Sequence, residues 1–187
     1  MAGVASTVYG LALFELAGEK GKLEELYPQV VTVRDSIVQN PEIISLFDNP
    51  QVTVSEKKEI VEKIFKGRVD DMITGCIITA VEKRRYDDII PLLEYYISAY
   101  KEEKHIGILH VTSAYELDAD TKKKIENRII SVTDYVSLEA DYTVDKSIIG
   151  GLVLRIGDRV VDSSIKRSLE ELKTGLMEKS ISNAAAE

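Results

Sequence analysis

Apolar residues recur at helical spacing from Val4 to about Lys104 and then, past His105, fall into alternation. That change of period constrains the fold more than any other feature, because a 3.6-residue repeat and a 2-residue repeat bury their apolar faces in different architectures. The first stretch predicts a helical domain over residues 1–104, and the second a small mixed domain over residues 105–179. The fold class expected is mainly α, an N-terminal six-helix bundle followed by a small α+β domain. A chain of 187 residues with 44% hydrophobic residues is long enough to bury one good core or two small ones.

Start and stop signals divide the helical stretch. Asn40-Pro41 predicts an N-cap and a first helical residue for a short helix through Phe47, closed by Asp48-Asn49-Pro50. Ser55 is the expected cap of a helix running to about Phe65 and ended by Gly67. Asp70-Asp71 open another helix, with Lys83, Arg84 and Arg85 in its last turn, so the charges at both ends complement the helix dipole. The next helix runs from Asp87 to about Lys104, with Pro91 tolerable only in its first turn or at a kink.

Beyond His105, Ile106, Ile108 and His110 alternate with Gly107, Leu109 and Val111 as a strand. A helix is expected from Asp118 to Thr133, with Ile125, Ile129 and Val132 on one stripe. Val136, Leu138, Ala140 and Tyr142 then alternate with polar residues as a half-exposed strand. Leu152 to Ile156 and Arg159 to Val161 flank Gly157-Asp158, a two-residue loop that closes a β-hairpin because glycine accepts positive φ. Ser163 or Ser164 caps a last helix, in which Ile165, Leu169, Leu172 and Leu176 recur at spacings of four, three and four. Residues 180–187 are expected to be a disordered tail.

Several function classes are poorly supported. The charged fraction is 30% and the net charge is −8, and phosphate-backbone binding rests on clustered Lys and Arg, so no nucleic-acid partner is expected. Two histidines, His105 and His110, and the single Cys76 form no metal-ligand spacing, and no cofactor is expected. A Ser-His-Asp hydrolase would have to recruit one of those histidines, and no G-x-S-x-G elbow is present. Gly150-Gly151 lacks the G-x-x-x-x-G-K-[ST] pattern and opens no helix, so it reads as a bend at a strand start rather than a nucleotide site. Asp70-Asp71 and Asp87-Asp88 sit at helix starts, where negative charge is stabilising, and Lys122, Lys123 and Lys124 read as a solvated helix face. Met1 to Ala5 has no signal-peptide pattern and Cys76 is unpaired, so the chain reads as a cytoplasmic product. The apolar run Met72 to Val81 is about half of the roughly 20 residues that span a bilayer, so membrane association is expected only through a partner.

What remains is a surplus of apolar surface. Val4, Val8, Tyr9, Leu11, Ala12, Leu13, Phe14, Leu16 and Ala17 occupy most of the circumference of the first helix. The helix from Asp70 repeats this with Met72, Ile73, Cys76, Ile77, Ala80 and Val81, while Gly75 permits close approach. Two readings stand side by side. Either both helices are simply central in their bundle, or their surplus faces form a groove for an amphipathic helix of another protein, the helix-in-groove mode of recognition. Composition and spacing lead to an adaptor and no further.

Two segments carry a resemblance. Tyr9-Gly10-Leu11-Ala12-Leu13-Phe14-Glu15-Leu16-Ala17 is similar to the opening Y-A-x-A-L-F-x-x-A helix of the delta subunit of F-type ATP synthases, the family of the mitochondrial oligomycin sensitivity conferral protein. Gly10 stands where that family commonly has alanine, and Val8 where it commonly has a basic residue. The segment from Asp145 to Leu172 resembles the family's D-x-x-[IL]-I-G-G signature, continued by an apolar strand with Arg155, Gly157-Asp158, a second strand, Asp162-Ser163-Ser164 and a closing helix. Order and length agree from about Val4 to Lys179.

The resemblance implies a non-catalytic stator subunit, present once per complex, peripheral on the cytoplasmic face of a bacterial membrane. It implies that the bundle binds the N-terminal helix of an alpha subunit between its first and fifth helices. Carried onto this chain, that groove would be lined by Tyr9, Leu13, Leu16, Ile73, Ile77 and Val81. The second domain is implied to join subunit b of the peripheral stalk, for which Ile165, Leu169, Leu172 and Leu176 are the candidates. The alternative reading is a helical adaptor that binds an amphipathic helix of an unrelated partner.

Overall fold

The computed structural model describes residues 4–184, with side chains for residues 7–174. It divides into two compact units that meet between Glu103 and Lys104. The described residues are mainly helical, with eight α-helices and one four-stranded sheet.

The first unit holds α1 (Val4–Glu19), α2 (Leu23–Gln39), α3 (Glu42–Asp48), α4 (Val54–Phe65), α5 (Asp71–Glu82) and α6 (Ile89–Glu103). A 3₁₀ turn, Tyr86–Asp88, precedes α6, and Pro91 falls in the first turn of that helix, where its missing N–H has no intrahelical partner to lose. Helix α6 buries Ile89, Leu92, Leu93, Tyr96 and Ile97, and the buried stripes of the other helices share one core with it. Helix α1 lies close against α6, because a Cβ on Gly10 would sit 2.8 Å from both the Leu92 carbonyl and the Tyr95 side chain. That contact accounts for a glycine at position 10. Helix α2 buries Leu26, Val30, Val33 and Ile37, and this stripe outweighs the hydrogen bond lost at Pro28.

Two caps differ from expectation. Helix α4 is capped by Thr53 rather than Ser55. Thr53 Oγ1 accepts from Glu56 N at 3.3 Å while Glu56 Oε2 accepts from Thr53 N at 2.8 Å. The reciprocal carboxylate lies three residues after Thr53, whereas Lys58 holds that place after Ser55, so only Thr53 completes a capping box. Asn40 does not cap α3 with its side chain. Its Nδ2 donates to the Ser36 carbonyl at 2.8 Å, closing α2 instead, and α3 begins after Pro41 without a side-chain cap.

Asp70 caps α5 through Oδ1, which accepts from Met72 N at 2.9 Å. Its other oxygen takes the Lys22 ammonium at 2.7 Å, and its own N–H donates to Gln29 Oε1 at 2.7 Å. The Lys22 contact first, then the Met72 N–H, hold the Asp70 carboxyl below its usual range. Lys83, Arg84 and Arg85 lie just past the last turn of α5 rather than within it. The helix stops because Arg84 takes φ 57°, letting Arg84 N and Arg85 N bond back to the Val81 and Ala80 carbonyls.

The second unit is built on β1 (Ile106–Ser113), α7 (Ala119–Val132), β2 (Ser137–Val144), β3 (Leu152–Ile156), β4 (Arg159–Asp162) and α8 (Ile165–Ala184), with a 3₁₀ turn at Lys146–Ile148. The strand order is β2-β1-β3-β4. Strand β1 runs parallel to β2, as the helical crossover α7 requires, and antiparallel to β3, which forms the hairpin with β4. Gly157 supplies the positive φ of the hairpin loop, at 54°. Gly107, Leu109 and Val111 of β1 are buried and pair with Leu138, Ala140 and Tyr142 of β2, so one face of the sheet lies toward α7. Tyr142 Oη donates to Glu126 Oε1 at 2.8 Å across that contact. Burial first, and the Glu126 carboxylate second, push the Tyr142 hydroxyl up to about 12.

Ser164, not Ser163, caps α8, its Oγ accepting from Arg167 N at 3.1 Å. The disordered tail expected from Ser180 is not seen in residues 180–184, where α8 continues, and residues 185–187 lie outside the described residues.

Candidate functional site

The six residues proposed for a groove between α1 and α5 divide sharply. Leu13, Ile73, Ile77 and Val81 are core residues, with Ile77 only 1% exposed, and they touch no solvent surface that a partner would reach. Tyr9 is half-buried and Leu16 is 39% exposed. On α1, Gly10, Leu13 and Ala17 point into the bundle, which turns Val8, Ala12 and Leu16 outward. On α5 the core takes Ile73, Thr74, Ile77, Ala80 and Val81, which leaves Met72, Cys76 and Thr79 half-buried and Gly75 exposed.

The two helices touch along this edge. Cys76 Sγ donates to the Tyr9 carbonyl at 3.9 Å, and the Arg85 guanidinium stands 5.9 Å from the centre of the Tyr9 ring. A strip of Tyr9, Ala12 and Leu16 thus runs beside Met72, Cys76 and Thr79, with Arg85 at one end. The sequence contained a signal for the α5 half of it. Met72, Gly75, Cys76 and Thr79 recur at spacings of three, one and three, a second stripe one residue behind the core stripe. Choosing the most hydrophobic residues of each helix selected the core instead, because the strongest apolar stripe is the one the protein keeps for itself. Gly75 belongs to the strip in a particular sense: a Cβ built there meets no atom within 4 Å.

The strip is suited to contact rather than to chemistry. Burial pushes the Cys76 thiol up to about 11, so it stays protonated at neutral pH and is a poor nucleophile. Among the described residues, no group of three or more His, Cys, Asp or Glu is placed to hold a metal ion. No helix among them is long and apolar enough to cross a membrane.

The glycine pair Gly150-Gly151 serves a turn. Gly151 has φ 78°, and a Cβ there would fall on the Ser163 carbonyl. Gly150 faces Ile165, whose Cδ1 would lie 2.7 Å from an added Cβ, and its carbonyl accepts from Ile165 N at 3.0 Å. The Asp145 carboxylate accepts from Ser147 N, and that of Asp162 from Ser164 N, each holding its carboxyl below the usual range. These residues tie the start of α8 to the sheet. A cleft of about 700 Å³ lies beside them, lined by Asp145, Val153, Asp162, Arg167 and Glu171 among others.

The second set of candidates behaves differently. Ile165, Leu169 and Leu172 are 48%, 52% and 63% exposed, and every residue from Ile165 to Thr174 is open to solvent. The side chain of Leu176 lies outside the described residues. The main contact of α8 within its unit is the turn at Lys146–Ile148. Beside that turn Ile149 is 60% exposed at φ 69°, an uncommon conformation for a β-branched residue.

The chain is similar to known proteins along nearly its whole length. The family model described as ATP synthase delta (OSCP) subunit matches residues 5–176. A protein of Lachnoclostridium phytofermentans named ATP synthase subunit delta is 42% identical over 176 residues, covering 94% of this chain and 97% of its own. One of the same name from Halalkalibacterium halodurans is 35% identical, covering 90% and 92%. A chain in the cryo-EM structure of the Toxoplasma gondii mitochondrial ATP synthase hexamer shares the fold at a TM-score of 0.73 and 20% identity, covering 94% of this chain and 98% of that one.

Proposed function

Because the chain belongs to the ATP synthase delta (OSCP) subunit family, we propose that it is the stator connector of a bacterial ATP synthase, a structural and non-catalytic subunit peripheral on the cytoplasmic face of the membrane. Its six-helix bundle receives the N-terminal helix of one alpha subunit in the strip between α1 and α5. Its second unit receives subunit b of the peripheral stalk along α8. The catalytic head is thereby held still while the rotor turns. The observation that supports this reading is the edge between α1 and α5, where Ala12 and Leu16 are exposed and Tyr9, Met72 and Cys76 lie half-buried against the core.

A connector of this kind works by affinity and slow release. A nanomolar contact corresponds to about −12 kcal/mol, and most differences between related complexes lie in the dissociation rate. A helix laid along the strip would gain apolar burial from Leu16 and Met72, close backbone approach at Gly75 and Ala12, and a polar edge at Arg85. The test is calorimetric titration of the full chain with a synthetic peptide of the alpha-subunit N-terminus. Wild type is expected to bind, and Leu16→Asp to weaken binding at least tenfold while circular dichroism shows an unchanged fold. Absence of binding by the folded wild-type chain would refute the alpha-subunit site.

A further inference from the structure

Among its described side chains, helix α8 buries none. It runs for 20 residues, yet Ile165 to Thr174 are all exposed. Within it Arg167 pairs with Glu171 at 2.8 Å. Helices much shorter than about 15 residues are marginal in water even in Ala-rich sequences, and most helical stability in proteins comes from packing an apolar face. Here, beyond Ile165, which packs on Gly150, the face is present with Leu169 and Leu172 exposed.

The spacing of the face specifies what fits it. Ile165, Leu169, Leu172 and Leu176 stand at alternate spacings of four and three, the d and a positions of a heptad, so a second helix crossing at a shallow angle would meet Ile165, Leu169 and Leu172 in turn. The flanks of the seam are unequal. Lys166 and Lys173 occupy the e positions on one side, and Ser168 and Gly175 the g positions on the other. A second copy of this chain makes a poor partner. In a parallel pair its e lysines would face Ser and Gly, gaining nothing, and in an antiparallel pair Lys would face Lys. A partner with carboxylates along one flank satisfies both lysines, and its backbone can come close over Ser168 and Gly175. Lys166 also stands near Asp145 and Asp162, whose carboxyls it helps hold low, so Lys173 is the freer of the two cations.

We infer that α8 is one half of a two-helix seam, completed by a single amphipathic helix from another chain that carries acidic residues where it passes Lys166 and Lys173. This rests on the stator reading, in which the occupant is the stalk helix of subunit b, and it adds the register and charge by which that helix is recognised. Exposed Ile149, one residue from the Gly150 against which Ile165 packs, extends the apolar surface beyond the first turn of the seam.

The test uses the full chain and three probes: the soluble segment of subunit b of the same ATP synthase, and two designed three-heptad peptides with Leu at a and d, one flanked by Glu and one by Lys. Wild type is expected to bind the Glu-flanked peptide at least about tenfold tighter than its Lys-flanked twin. The K166E/K173E variant is expected to reverse that preference, and L172D, an exposed change that leaves the fold intact, to abolish binding of both peptides. Equal binding of the two peptides, or none, overturns the inference, as does a wild-type dimer in sedimentation that L172D dissociates. If the b segment binds but neither K166E/K173E nor L172D weakens it, the seam is refuted while the stator reading stands. If the Glu-flanked peptide binds and the b segment does not, the seam stands and the stalk assignment fails.

Discussion

Replacing Gly75 with alanine is expected to stabilise the helical unit while a larger residue at the same place blocks the partner. Gly75 lies in the middle of α5, five residues into a helix that ends at Glu82. Its Cβ would meet nothing within 4 Å, so alanine adds neither clash nor packing. What remains is the backbone preference, and glycine inside a helix costs about 0.8–1.0 kcal/mol relative to alanine. For a unit of this size about 1 kcal/mol raises Tm by roughly 4–8 °C. Thermal unfolding followed at 222 nm measures the shift in Gly75→Ala. Gly75→Leu should keep most of the gain in the free chain but weaken the alpha-subunit peptide at least tenfold, because its side chain stands where the partner backbone would lie. An unchanged or lowered Tm in Gly75→Ala would mean that the site is already filled by this chain. Increased stability with unchanged peptide affinity in Gly75→Leu would remove Gly75 from the interface.

Three further outcomes follow from burial and caps. Ile77→Asp, unlike Leu16→Asp, is expected to unfold the helical unit, since it puts an unpaired carboxylate into a core position that is 1% exposed, and denaturant titration separates the two variants. Asp70→Asn keeps a capping side chain but loses the charge facing Lys22, at a cost of about 1 kcal/mol near neutral pH. Because the folded Asp70 carboxyl is held below its ordinary value of 3.8, its contribution is present above that value and is lost as pH falls through the depressed one. The gap between wild type and Asp70→Asn should therefore close in acid, and a gap independent of pH would contradict the pairing. Gly151→Ala combines a left-handed backbone at φ 78° with a Cβ driven onto the Ser163 carbonyl, and is expected to cost the second unit about 3 kcal/mol, read as a lowered denaturation midpoint.

The element types were legible because each rests on local physics. The hairpin follows from Gly157-Asp158 between alternating apolar residues, and the α4 stop at Phe65 from Gly67, which takes φ 77°. The start of α4 was misplaced by two residues because Ser55 and Thr53 are both good caps, and only the reach of Glu56 decides between them. The groove was harder. Periodicity reveals how much of a helix is apolar but not which part its neighbours consume, so Leu13 and Ile77 looked as available as Leu16. Only the placement of α6 against Gly10 settles which way α1 faces. On α8, three of the residues chosen from spacing, Ile165, Leu169 and Leu172, are exposed, and Ile165 also packs on Gly150.

The central claim, a connector rather than a catalyst, is tested most directly by proton-driven ATP synthesis in vesicles carrying the complex rebuilt with and without this chain. Rebuilding with wild type is expected to restore synthesis that is lost in its absence, and rebuilding with Leu16→Asp to restore little at limiting concentration. Full synthesis without the chain, or equal restoration by Leu16→Asp at every concentration, would contradict the account.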